Sequence, residues 1–91
     1  MAKLGMDVDQ VLAVSKQLRS EAANIDSLVA KIQGIVGKLP GIWDGPDAVQ
    51  FANEWWPEHK KTLQAASQHI AGLAQAAQNN ATAQREASRR V

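Results

Sequence analysis

The side chains able to do chemistry are few and poorly spaced for it. Two histidines are present, His59 and His69, with no cysteine and no tyrosine anywhere in the chain. Their separation of 10 residues sets the imidazoles about 80° apart around a helix of 3.6 residues per turn, so they do not form the i,i+4 pair that grips a metal ion. Glu58 beside His59 offers an acid next to a base. A partly buried histidine that bonds across helices accounts for the same residues without catalysis. Gly34, Gly37 and Gly41 do not form a strand–glycine–helix phosphate cradle, and no serine stands in the glycine context of a nucleophile elbow. Without a thiol there is neither a disulfide framework nor a thiolate metal site. These residues imply a protein that is not an enzyme and needs no cofactor or metal.

What remains is the chemistry of surfaces. All three tryptophans and the single phenylalanine, Trp43, Phe51, Trp55 and Trp56, fall between positions 43 and 56. Phe51 and Trp55 are one helical turn apart and should stack on one helix face. Such a cluster pins the end of a helical hairpin and also makes a docking surface.

The elements that must carry this cluster are legible in composition and period. A length of 91 residues allows one domain, and 16 alanines and 9 glutamines against a single phenylalanine favour helix over strand. From Val8 a seven-residue rhythm runs through Val11, Leu18, Ile25, Ile32 and Leu39. A second column, Ser15, Ala22, Val29 and Val36, and a third, Val14, Leu28 and Ile35, lie beside it. The resulting stripe is wider than a bare coiled-coil seam, and it predicts one amphipathic helix from Val8 to about Gly37. The segment 38–46 holds Pro40, Gly41, Gly45 and Pro46 and is the strong break in the chain. After it, Asp44 is the expected N-cap of a second helix, with Pro46 in the first turn and Asp47 favouring its positive end. That helix carries the column Val49, Trp56, Leu63, Ile70 and Ala77, with Ala52, His59, Ala66 and Leu73 beside it. Pro57 predicts a kink near Ala52 to Trp56, or a restart of the main helix.

The reading is therefore an all-α chain. A helical hairpin spans 8–84 with its turn at about 38–46, flanked by a flexible N-terminal segment 1–7 and a flexible tail 85–91 that has nothing to bury. The first residues contain no apolar run of signal-peptide length, so a classical secretory signal is not expected. Thr62 to Gln84 is 23 residues long and uncharged. Its many glutamines and asparagines argue against insertion in a bilayer, and a pore is the weakest of the functional alternatives. Ten basic and nine acidic groups leave a net charge of +1, too balanced for phosphate neutralisation across a broad face, so no nucleic-acid partner is expected.

Two antiparallel rods cover only part of each other's stripe. With three apolar columns on the first helix and alanine dominating the second, Val14, Leu28 and Ile35 should stay wet, which forgoes roughly 1.5–3 kcal/mol per side chain. That sum is comparable with a small domain's net stability of about 5–15 kcal/mol. Docking of a second hairpin into a four-helix bundle removes the deficit. Val11, Leu18, Ile25, Val29, Ile32, Leu63, Ile70 and Leu73 are the expected bundle core.

Trp43-Asp44-Gly45 between two long helices, followed by Ala48, Phe51 and Trp55, resembles the WXG100 or ESAT-6-like family from about Met6 to Ser88. The resemblance implies a hairpin that dimerises with itself or with a paralogous WXG100-like protein. It also implies export in the folded state from a bacterial cytoplasm by a type VII secretion system, to the cell surface or beyond. Trp43 and Gly45 would then belong to the export signal or its recognition surface, with Phe51 and Trp55 adjoining them. An adaptor that covers a helical segment of a larger type VII toxin is the alternative. Family members or their partners often carry a Tyr-x-x-x-Asp/Glu signal after the second helix. This chain, lacking tyrosine, would need a partner to supply it or would export without it.

Overall fold

A computed structural model describes residues 5–89, and the outer parts of the two terminal segments, 1–4 and 90–91, lie outside the described residues. The architecture is a helical hairpin. Helix α1 spans Val8–Val36, a 3-10 turn follows over Leu39–Gly41, and a short helix α2 spans Pro46–Gln50. A π-helical turn over Phe51–Trp55 joins α2 to the long helix α3, Trp56–Arg89. The rod measures 69 × 18 × 16 Å.

Local chemistry explains these boundaries. Asp7, in an extended conformation, caps α1 by accepting from the backbone N–H of Gln10 at 3.2 Å, and Asp9 adds negative charge to the first turn. At the other end Gly37 stays right-handed, and Pro40 falls inside the 3-10 turn that follows. Trp43 N–H donates to the Leu39 carbonyl at 2.8 Å and closes the reversal. The expected cap at Asp44 is not used. Gly45 is the N-cap of α2, at φ 112°, a left-handed backbone that a side chain would strain, and Pro46 follows at the first helical position.

Pro57 explains the π turn. It lacks the N–H that a regular helix would donate to Asn53, and its ring crowds that carbonyl. The chain answers with one wider turn, in which Trp56 N–H reaches back to the Phe51 carbonyl. Eight residues of regular helix would leave Ala48 and Trp56 about 80° apart. The wider turn advances less per residue and brings both to the buried side, where each is less than a tenth exposed.

The seam between α1 and α3 changes character along its length. Near the termini it is built from small residues: Ser15 and Ala22 of α1 face Ser67, Ala74 and Ala81 of α3, all buried. Ser15 Oγ donates to the Ala74 carbonyl at 2.8 Å, and Ser67 Oγ donates to the Ala22 carbonyl at 3.1 Å. Each hydroxyl thus bonds the opposite backbone, which requires close approach of the helices. Toward the turn the seam widens to hold Val29, Val36 and Trp56. The Trp56 indole Nε1–H donates to Gln33 Oε1 at 2.8 Å, satisfying the polar edge of an otherwise buried ring. At the terminal end Arg85 pairs with Asp9 at 2.7 Å, and α3 continues through Arg89.

Of the eight residues expected in the bundle core, only Val29 is buried within the hairpin. Val11, Leu18, Ile25, Ile32, Leu63 and Ile70 are half-buried, and Leu73 is exposed. The rest of the hairpin's own core is Val36 and Trp56 together with Ser15, Ser67 and alanines, and these small side chains give almost no hydrophobic signal in a sequence.

Candidate interaction site

Two surfaces follow from this geometry. The first is the face flanking the seam. Relative to the column Ser15, Ala22, Val29 and Val36, the column Val11, Leu18, Ile25 and Ile32 is displaced by about 50°, and Val14, Leu28 and Ile35 by about 100° in the same sense. On α3, Leu63, Ile70 and Ala77 and then Ala66 and Leu73 are displaced in that same sense from Ser67, Ala74 and Ala81. Because the helices are antiparallel, equal senses put both sets on one side of the hairpin. Burial agrees: the inner columns are half-covered, whereas Val14, Leu28, Ile35 and Leu73 remain 48%, 51%, 61% and 60% exposed. The opposite side is polar, with Arg19 donating to both Gln75 and Gln78 at 2.7 Å and with Asp26, Gln64 and Gln68 near the same groove.

The second surface is the turn end. Trp43 packs on Phe51 with ring centroids 5.9 Å apart and planes at 55°. Phe51 stacks on Trp55 at 5.2 Å and 28°, and Trp55 meets the edge of His59 at 4.2 Å and 74°. Four rings thus form one continuous line, with Trp55 56% and Trp43 39% exposed. The stacking of Phe51 on Trp55 read from the sequence is present. His59 differs from its expected place: it is exposed and packs on Trp55 rather than bonding across helices. Trp56, adjacent in sequence to Trp55, leaves the line altogether and enters the seam. Gly45 takes no part in ring contacts. Its left-handed backbone turns the chain so that Trp43 can reach back to Phe51.

A match to the family model described as WXG100, proteins of 100 residues with WXG, covers residues 3–87. The chain belongs to the WXG100 family. Comparison with curated proteins and with solved structures returned no significant match. The Trp-x-Gly of this WXG100 chain is Trp43-Asp44-Gly45, and its two outer residues have separate tasks. Trp43 starts the aromatic line, and Gly45 supplies the backbone geometry that α2 needs in order to begin.

Around the line the WXG100 hairpin carries two shallow troughs. One, of about 340 Å³, is lined by Trp43, Asp47, Gln50, Phe51 and Trp55. Its neighbour, of about 360 Å³, is lined by Gln50, Glu54, Trp55, Glu58 and His59. Gln50 and Trp55 line both. Of Trp43, Gly45, Phe51 and Trp55, expected from the sequence on one surface, the three rings are in contact and Gly45 is not among them, while His59 joins the line without having been expected there. The signal was present in the i,i+4 spacing of Phe51, Trp55 and His59. Among the described residues no group of histidine and carboxylate side chains could hold a metal ion, and no helix is long and apolar enough to cross a membrane.

Proposed function

We propose that this WXG100 protein is a type VII secretion substrate, exported as a folded helical-hairpin dimer, that acts by protein–protein contact and not by catalysis. The observation that carries the reading is the continuous apolar face on one side of a rod only two helices thick. Among the described residues just three large side chains, Val29, Val36 and Trp56, are buried. Val14, Leu28, Ile35 and Leu73 stay in water, and covering each recovers up to roughly 1.5–3 kcal/mol. Membership in a family of small secreted proteins supports the export part of the reading.

In this reading Val11, Leu18, Ile25, Ile32, Leu63, Ile70 and Leu73 become core only when a second hairpin lies on them, and Val29 backs them from within. Trp43, Gly45, Phe51 and Trp55 form the docking end that the secretion machinery meets. Comparing culture supernatants of a parent strain and a strain lacking the secretion ATPase tests export. The protein is expected in the parent supernatant alone, and equal retention in both strains would refute it.

In one variant of this reading the second hairpin is another copy of this chain, and in the other it is a paralogous WXG100-like protein. Light scattering of the chain expressed alone separates the two. A stable species of twice 9.8 kDa supports self-pairing, and an aggregating or poorly folded monomer supports a missing paralogue.

A further inference from the structure

One charge stands in the middle of the apolar side. In the columns that build that side, within 11–35 on α1 and 63–80 on α3, Glu21 is the one residue with a formal charge, and it fills the gap between Val14 and Leu28. Glu21 is exposed, lies in no ion pair among the described residues, and accepts from the Asn24 side-chain N–H at 2.9 Å. It stands one position before the centre of the 29-residue α1, level with the bond from Ser67 to Ala22.

Rotation about α1 says where that carboxylate goes when the side is covered. In a bundle of four helices each helix meets its hairpin neighbour in one direction and the facing helix about a quarter-turn away. The column of Val14, Glu21, Leu28 and Ile35 is about 100° from the seam and is therefore aimed at the facing helix. The rim is the next column, Gln17, Asn24 and Lys31, about 150° from the seam. A second copy can lie on this side in two ways. With its ends reversed, α1 faces the copy's α1, and full overlap sets the two Glu21 carboxylates against each other. With its ends aligned, α1 faces the copy's α3, and Glu21 meets the stretch from Ala66 to Leu73, which has no lysine or arginine and whose His69 is at the rim. Lys16 and Arg19 are on the polar side, and Lys31 comes level with the copy's Glu21 only after a slide of about 10 Å that uncovers part of both faces. A copy thus buries either two like charges or one charge without a partner, and both are costly.

We propose that Glu21 selects the partner: the hairpin that covers this side is not a second copy but one that presents a lysine or arginine at the middle of its own apolar side, facing Glu21. The inference rests on the reading of this side as the dimer face and adds which hairpin it takes.

The chain itself supplies the test partner. Glu21→Lys carries the required cation, and Glu21→Gln removes the charge while keeping the size. Sedimentation of each protein alone, and native mass spectrometry of an equal mixture of the parent with isotope-labelled Glu21→Lys, read the pairs formed. The mixed pair should exceed the half share expected from random pairing, and Glu21→Gln should self-pair about 10- to 100-fold more tightly than the parent. Adding Leu28→Glu with Ile35→Glu to the parent should remove the mixed pair, which ties the effect to this side. Random pairing in the mixture, or self-pairing that Glu21→Gln leaves unchanged, would overturn the proposal while leaving the dimer reading in place. Absence of association in every combination would overturn both.

Discussion

At the scale of single residues, neighbouring tryptophans have opposite duties. Trp56 is buried with its indole bonded to Gln33, whereas Trp55 is more than half exposed. Trp56→Ala should cost about 3–5 kcal/mol, as large-to-small changes in a core do. Trp55→Ala should cost only about 0.5–1.5 kcal/mol, the worth of its ring contacts. Urea unfolding of both variants checks the contrast, and equal losses would mean that the two rings share one environment. Gly45→Ala meets no atom within 4 Å, so any penalty is backbone strain at φ 112°, expected at about 1–3 kcal/mol. The pairing of Trp55 with His59 is legible in their i,i+4 spacing, but the role of Gly45 as a cap in place of Asp44 could not be read from residue types. It depends on the backbone angle adopted at the residue before Pro46.

Among the elements, the π turn acts as a phase shifter. It contributes one residue more than a regular helix needs to bring Ala48 and Trp56 onto the same side. Deleting Asn53 together with Pro57→Ala should give an uninterrupted helix in which those two residues are a heptad apart and remain buried. The expected change in stability is under about 1 kcal/mol, some 4–8 °C in thermal midpoint for a chain of this size. The Trp56 indole signal should be retained while the stacking of Phe51 on Trp55, which spans the deleted residue, is altered. Near-ultraviolet circular dichroism and the indole NMR signals read this, and loss of the Trp56 signal would contradict the account. The interruption itself was visible in Pro57, along with the start of α1 at Val8. That the interruption is a wider turn and not a bend was not visible, because the outcome depends on whether Trp56 finds a place in the seam.

For the whole molecule, the decisive property is thinness. A rod 18 by 16 Å across has no interior layer, so its stability should depend on what covers its apolar side. Leu28→Glu with Ile35→Glu puts charge on that side without touching the seam. If the face binds a second hairpin, light scattering should show the double variant as a species of 9.8 kDa under conditions where the parent is a dimer. The parent's thermal midpoint should rise with protein concentration and the variant's should not. An unchanged dimer would move the interface elsewhere.

The sequence by itself determined the helical class, the hairpin and its break, the width of the apolar stripe and the family. These are periodic or local properties, set by side-chain spacing at 3.6 residues per turn and by glycine and proline. The tertiary structure decided which part of the stripe the chain covers for itself and which aromatic rings face outward. Alanine and serine can form a seam only where two backbones approach closely, as at Ser15 and Ser67, and that depends on the register between helices far apart in sequence. The same register, with the phase set by the π turn, sends Trp56 inward and leaves Trp43, Phe51, Trp55 and His59 in a line at the surface.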